Sequence, residues 1–301
     1  MNAILLTISV IMNLLYSVLR NSFCKKSQPN NSDMQVFNAV SSLISAITLA
    51  VIALVSNTLT MPSTYTLLLG IVFGIVTGVS SIMNLKALEC GPLSYTSIIC
   101  SCSMIIPALS GFVMYGDPVS ASQWIGIALM LVSFVCAVDS RGDRNSGVGV
   151  SFKWFFLALG TFFCSGSVGI MQKIHQGSQY KDELSIFLVI AFLVATVTSI
   201  LLTAYYSKTK NEKVTVLSGD NMKRFAIYTL VTGFGFALCN QINMFLAGAM
   251  PSIVFFPIVN GAGMLLTSAA GIFIWKERFT NRQWFGMVTG AVAIFLLCNL
   301  F

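Results

Sequence analysis

Ten uninterrupted apolar runs divide this chain, at about residues 2–19, 34–56, 64–88, 93–115, 121–139, 154–174, 184–206, 225–247, 251–274 and 283–300. A helix rises about 1.5 Å per residue, so about 20 apolar residues span the roughly 30 Å hydrocarbon core of a bilayer. Inside lipid every backbone N–H and C=O must be satisfied within the structure, which leaves helices or closed barrels. The runs lack the strict alternation of barrel strands, so the helical solution is the one that fits. Charged residues are 9% of the sequence, against roughly a quarter in soluble domains, so the missing polar surface must face lipid. The expected fold is all-α integral membrane, with ten transmembrane helices. Residues 1–19 lack a basic leader and a small-residue cleavage site before Arg20, and are read as the first membrane helix rather than a signal peptide.

The basic residues orient the chain. The connections after the odd-numbered helices hold 15 of the 17 Lys and Arg residues, and the opposite face holds only Lys173 and Lys181. Basic residues in short loops are retained in the cytoplasm, so both termini are expected outside a cell membrane (plasma or inner) crossed many times. The net charge of +7 is spread between apolar runs without a patch or interleaved stacking aromatics, so no nucleic-acid partner is expected. The eight cysteines include no CxxC pair, and those inside apolar runs act as small hydrophobes. One histidine and no clustered carboxylates leave metal and His-dependent catalysis without parts. No cofactor, no metal and no enzyme activity are expected.

The chain repeats itself. Asn84 and Pro92 fall on Asn243 and Pro251 at an offset of 159 residues. Asp117, Ser120, Gln123, Trp124 and Gly126 fall on Glu277, Thr280, Gln283, Trp284 and Gly286 at an offset of 160. Residues 1–150 and 151–301 therefore form two repeats of five helices. An odd helix number makes the two insert in opposite orientations, which brings their sites together across a pseudo-two-fold axis near the midplane. That geometry suits alternating access.

Each repeat ends in an apolar helix, an acidic residue, Ser or Thr, then Gln-Trp-x-Gly and a last helix, and the preceding helix opens at Gly91-Pro92 or Met250-Pro251. The pattern resembles the EamA-type repeat of the drug/metabolite transporter superfamily. The resemblance implies a carrier of small metabolites or drugs, with a cavity lined by helices one to four and six to nine, and helices five and ten peripheral. The chain departs from the pattern at Trp275-Lys276-Glu277, where the family often has Gly-Glu. Many ten-helix members also keep their termini cytoplasmic, opposite to the charge count here.

The candidate site is built from amides, hydroxyls and aromatics, because all ten acidic residues lie at helix ends or in loops. A carboxylate at the midplane would be costly and functional by default; its absence argues against proton-coupled cation efflux and for facilitated uptake or exchange. The candidate solute-binding residues are Asn13 and Tyr16 on helix one, Asn84 and Lys86 on helix three, Tyr95 on helix four, Asn240 and Asn243 on helix eight, and Phe256 and Asn260 on helix nine. Each has a plainer role: amides bridge helices, Lys86 snorkels, and aromatics pack. Lys173 and His175, at the end of helix six, read as interface anchors, and Pro107 and Pro257 are expected to interrupt helices four and nine. Gly70, Gly74 and Gly78 form a double GxxxG for close helix packing within the bundle. Gly286 and Gly290 either do the same or make a dimer contact through helix ten. The function expected is a secondary transporter of a small polar or amphipathic organic solute, a monomer or a helix-ten homodimer; the alternative is a non-transporting receptor or assembly subunit.

Overall fold

The computed structural model describes residues 2–27, 29–58, 61–90, 96, 99–100, 102–116, 119–137, 152–217, 221–275 and 280–297. Among them are ten α-helices: α1 (Asn2–Ser27), α2 (Asn31–Val55), α3 (Thr64–Cys90), α4 (Ile105–Tyr115), α5 (Ala121–Ala137), α6 (Phe152–Gln176), α7 (Leu184–Thr209), α8 (Asn221–Ala249), α9 (Ser252–Trp275) and α10 (Asn281–Leu297). A 3₁₀ turn, Lys181–Glu183, leads into α7. Among the described residues seven helices are long and apolar enough to cross a membrane, where ten spans are expected. The shorter ones are α4 at 11 residues and α5 and α10 at 17 each, which rise about 17 and 26 Å.

The described part of helix four breaks ahead of Pro107. Proline has no N–H for the carbonyl four residues back, and Ser103 O instead accepts from Ile106 N at 3.2 Å, with a turn at Ser103 and Met104. Pro257 has no such effect, since α9 runs through it unbroken. The expectation that both prolines interrupt their helices holds only for the first.

The chain divides into two compact units, each drawing helices from both parts of the sequence. The first comprises residues 3–78 and 175–245. Here α2 packs along α7, and the double GxxxG of α3 faces α7. A Cβ at Gly70 would meet Ile190, one at Gly74 would meet Val194, and one at Gly78 would meet Thr198. The constant separation of 120 residues makes α3 and α7 parallel, in contact along one i, i+4 ridge. Small residues permit that approach. Ser45 Oγ lies near two carbonyls and can donate to either, Ser41 O of its own helix at 2.9 Å or Gly233 O of α8 at 2.7 Å.

A polar clasp closes one end of this unit. Asn30 and Asp33 form a capping box at the start of α2. Asp33, 1% exposed, also accepts from Thr215 N (2.7 Å), Thr215 Oγ1 (2.7 Å) and Val216 N (3.1 Å). Glu212 accepts from Ser32 N at 2.9 Å and Asn31 Nδ2 at 3.1 Å. Beneath it lies an apolar cluster of Phe23, Phe37, Val216 and Phe225. The buried carboxylate is tolerated because its lone pairs are filled by N–H and O–H donors.

The second unit comprises residues 79–174 and 246–301. The Ser/Thr-x-x-Gln motif of the sequence is a capping box in both copies. Ser120 N donates to Gln123 Oε1 (3.0 Å) while Gln123 N donates to Ser120 Oγ (3.3 Å). Thr280 N donates to Gln283 Oε1 (2.9 Å) and Gln283 N to Thr280 Oγ1 (3.3 Å). The helices so started, α5 and α10, pack antiparallel. A Cβ at Gly126 would lie 3.2 Å from Ala293 O, Ser133 Oγ donates to Gly286 O at 2.6 Å, and Arg282 donates to Val135 O at 2.6 Å. A Cβ at Gly290 would meet Ser133 and Leu265, so Gly286 and Gly290 face helices of their own chain. The motif tryptophans, Trp124 and Trp284, stay about half exposed.

Candidate functional site

In the first unit the candidate residues of α1 and α8 share one antiparallel contact. Ser9 Oγ donates to Asn243 Oδ1, and Asn243 Nδ2 reaches Cys239 Sγ at 3.5 Å, so both ends of that amide are engaged. Tyr16 stacks on Phe236 with ring centroids 4.8 Å apart, and Arg20 donates to its hydroxyl at 3.2 Å. Asn240 Nδ2 donates to Phe236 O of its own helix at 2.9 Å. Asn13, half-buried, has no hydrogen-bond partner among the described residues. The neighbouring Gln241 Nε2 donates to Ser185 Oγ at 2.8 Å and ties α8 to α7, while its Oε1 is buried without a partner among the described residues.

In the second unit Asn84 Oδ1 accepts a weak bond from Cys100 Sγ at 3.5 Å, which leaves the amide N–H donors of Asn84 unused among the described residues. One turn away, Ser80 and Ser165 hydrogen-bond at 2.8 Å and join α3 to α6. Lys86 is exposed. Phe256 is buried, packs edge-on to Phe255 at 4.9 Å and lies near where a Cβ on Gly169 would point. It serves packing here. Asn260 is exposed and donates to Phe256 O at 2.8 Å. Tyr95 lies outside the described residues.

Two basic groups differ from expectation. Lys173 and His175 end α6, where the sequence suggests interface anchoring, yet both are buried. Lys173 Nζ donates to Met250 O at 3.1 Å, the first carbonyl past α8, and lies 5.5 Å from the Tyr115 ring centroid. The carbonyl dipole and the aromatic face compensate the ammonium for lost water. In the first unit, His175 packs 4.5 Å from Phe187 with Nε2 3.3 Å from Thr66 Oγ1. Beside it Glu183 accepts from Ser63 N (3.0 Å) and Ser63 Oγ (2.8 Å), and Ser63 Oγ in turn caps Thr66 N at 3.2 Å. Sequence reasoning passed over this polar knot because its members are scattered over 120 residues. The one local signal was Ser63 three residues before Thr66.

Asp33, Glu183 and Glu212 thus lie at or beside helix ends and accept from N–H or O–H groups. Among the described residues no three His, Cys, Asp or Glu side chains gather as metal ligands. What the helices offer a solute is amide, hydroxyl and aromatic surface, which recognises polar uncharged or zwitterionic groups by hydrogen bonds and stacking.

A family model described as the EamA-like transporter family matches residues 3–138. A curated protein of Haemophilus influenzae, described as uncharacterized, is 25% identical over 199 residues, which is 66% of this chain. That match spans 64% of the relative's own length. A crystal structure titled only as that of a protein aligns over 99% of this chain and 98% of its own, with a TM-score of 0.70 at 13% identity. This last likeness shows a shared fold.

Proposed function

Because its first half belongs with the EamA-like transporter family, within the drug/metabolite transporter superfamily, we propose that this membrane protein is a secondary carrier built from two inverted five-helix repeats. It moves a small polar or amphipathic organic solute by alternating access through a cavity between them. The observation that carries the reading is the reciprocity of α5 and α10. At the offset of 160 residues, Gly126 corresponds to Gly286 and Ser133 to Ala293. Gly126 faces Ala293 while Ser133 donates to Gly286, so each contact is the other's image across a two-fold axis. Antiparallel packing of repeat mates is what inverted repeats require.

Within the candidate set, Asn13 and Asn84 keep amide donors that no described neighbour uses, so they are the better solute contacts. Asn243 is committed to Ser9 and Cys239, and Phe256 to packing. The Lys and Arg distribution supports both termini outside a cell membrane, and the chain works as a monomer. With no carboxylate at a helix centre, transport is uptake or exchange down the solute's own gradient.

The test begins with a thermal-shift screen of the purified protein against amino acids, nucleosides, amines and vitamins, followed by tracer uptake into proteoliposomes for the solutes that stabilise it. Saturable uptake above protein-free vesicles supports the carrier. Stabilisation without uptake for every such solute points to a receptor instead and overturns it.

A further inference from the structure

On the first unit a cavity of about 510 Å³ opens between α1 and α8, lined by Leu19, Arg224, Ile227, Tyr228 and Val231. Its lining is ordered along the helix. Residues 224, 227, 228 and 231 fall at i, i+3, i+4 and i+7, which is one stripe of α8. Arg224 stands in the first turn, the Tyr228 ring comes one turn in, and only aliphatic side chains follow. The stripe runs from a cation at the end of the apolar segment to hydrocarbon within it. Arg224 is exposed and has neither a hydrogen bond nor an ion pair among the described residues. The described acid nearest in sequence, Glu212, is occupied by Ser32 N and Asn31 Nδ2 in the clasp.

We propose that this groove binds one anionic phospholipid, its phosphate on Arg224 and one acyl chain along Leu19, Ile227 and Val231. A guanidinium matches a phosphate with two parallel N–H···O bonds. A tyrosine hydroxyl suits the boundary where headgroups give way to chains. The volume lies inside the range of about 300–1,000 Å³ that small-molecule sites occupy. Charge favours the same occupant. Arg20, Lys208, Lys210, Lys213 and Lys223 stand in the same set of basic connections as Arg224, and such segments gather anionic lipids from the leaflet they face. A transported polar solute fits worse, because the groove offers it one charge and a hydroxyl against three aliphatic walls. The inference is independent of what the protein carries.

The test is native mass spectrometry of the full-length protein titrated with dioleoyl-phosphatidylglycerol or dioleoyl-phosphatidylcholine. The wild type is expected to hold one phosphatidylglycerol about five- to tenfold more tightly than phosphatidylcholine, near the gain of one well-placed cation. Arg224→Gln removes that preference, Arg224→Lys keeps part of it, and Val231→Trp weakens binding of both lipids by filling the groove. Thermal unfolding of each variant separates lost binding from lost fold. Equal retention of the two lipids by the wild type overturns the proposal, as does an unchanged preference in Arg224→Gln. Displacement of the bound lipid by millimolar inorganic phosphate also overturns it, since a site held through the acyl chain resists a free anion.

Discussion

Alanine at Gly74 should loosen the protein, while alanine at Gly235 should tighten it. Both glycines are helical and belong to the first unit, so the helix-propensity gain from alanine, up to about 1 kcal/mol, is common to the two. Their surroundings differ. A Cβ at Gly74 would come 2.6 Å from Val194 Cβ, 2.7 Å from its Cγ1 and 2.9 Å from Ala191 O, whereas one at Gly235 would meet nothing within 4 Å. Val194 is β-branched and stiff at χ1, and Ala191 O belongs to the backbone of α7, so neither can withdraw without moving α3 from α7. Overpacking of this kind costs about 1–3 kcal/mol. After the propensity gain, Gly74→Ala is expected to lose about 1–2 kcal/mol, and Gly235→Ala to gain about 0.5–1 kcal/mol. At about 2–4 °C per kcal/mol, the two should melt several degrees apart on either side of the wild type. Intrinsic-fluorescence melting in one detergent reads both. If Gly74→Ala melts with or above Gly235→Ala, the close α3–α7 contact is wrong.

Other substitutions probe the remaining contacts. Asp33→Ala strands the Thr215 and Val216 N–H groups in a buried clasp and should cost about 3 kcal/mol, visible as a lower melting point and fewer monodisperse molecules on gel filtration. Wild-type behaviour would show that the clasp is dispensable. Ser133→Ala removes a single interhelical bond, for about 0.6 kcal/mol, so its melting point should fall by only 1–2 °C; a fall beyond about 8 °C would mean the α5–α10 contact depends on more than packing. Asn84→Ala should raise the KM of transport about tenfold with little change in melting point, while Asn260→Ala, whose amide bonds its own helix, should change KM less than twofold. Equal effects would remove Asn84 from the site. Uptake should proceed without an imposed pH gradient, and strict dependence on one would require a proton carrier not visible in the acidic residues.

Much of this architecture is legible in the sequence because lipid allows few alternatives. A chain that must satisfy its backbone internally shows its helices as apolar runs, and α2, α3, α6, α7, α8 and α9 lie where those runs are. The Ser120/Thr280 and Gln123/Gln283 correspondence is visible as a repeat, and the fold supplies its reason: it is a capping box that starts each closing helix, with Gly126 and Gly286 behind it for close packing. The glycines of α3 likewise report their role through spacing alone. The candidate site is less legible. Asparagines read alike in sequence, yet Asn243 is spent on Ser9 and Cys239 while Asn84 and Asn13 keep donors, a distinction set by neighbours more than 200 residues away in one case. Lys173 and His175 look like interface anchors by position, and only the fold reveals a carbonyl and aromatic rings that let them be buried. The break ahead of Pro107 and the unbroken helix through Pro257 show that proline marks where a helix is weakened, and its neighbours decide whether it breaks.

Solute counterflow tests the proposed mechanism most directly. Proteoliposomes are loaded with an unlabelled solute from the screen and diluted into a trace of the labelled form. A carrier whose site faces one side at a time must accumulate label transiently above equilibrium, because returning sites are kept occupied by unlabelled solute. The account predicts that overshoot. A monotonic approach to equilibrium would contradict alternating access between two repeats.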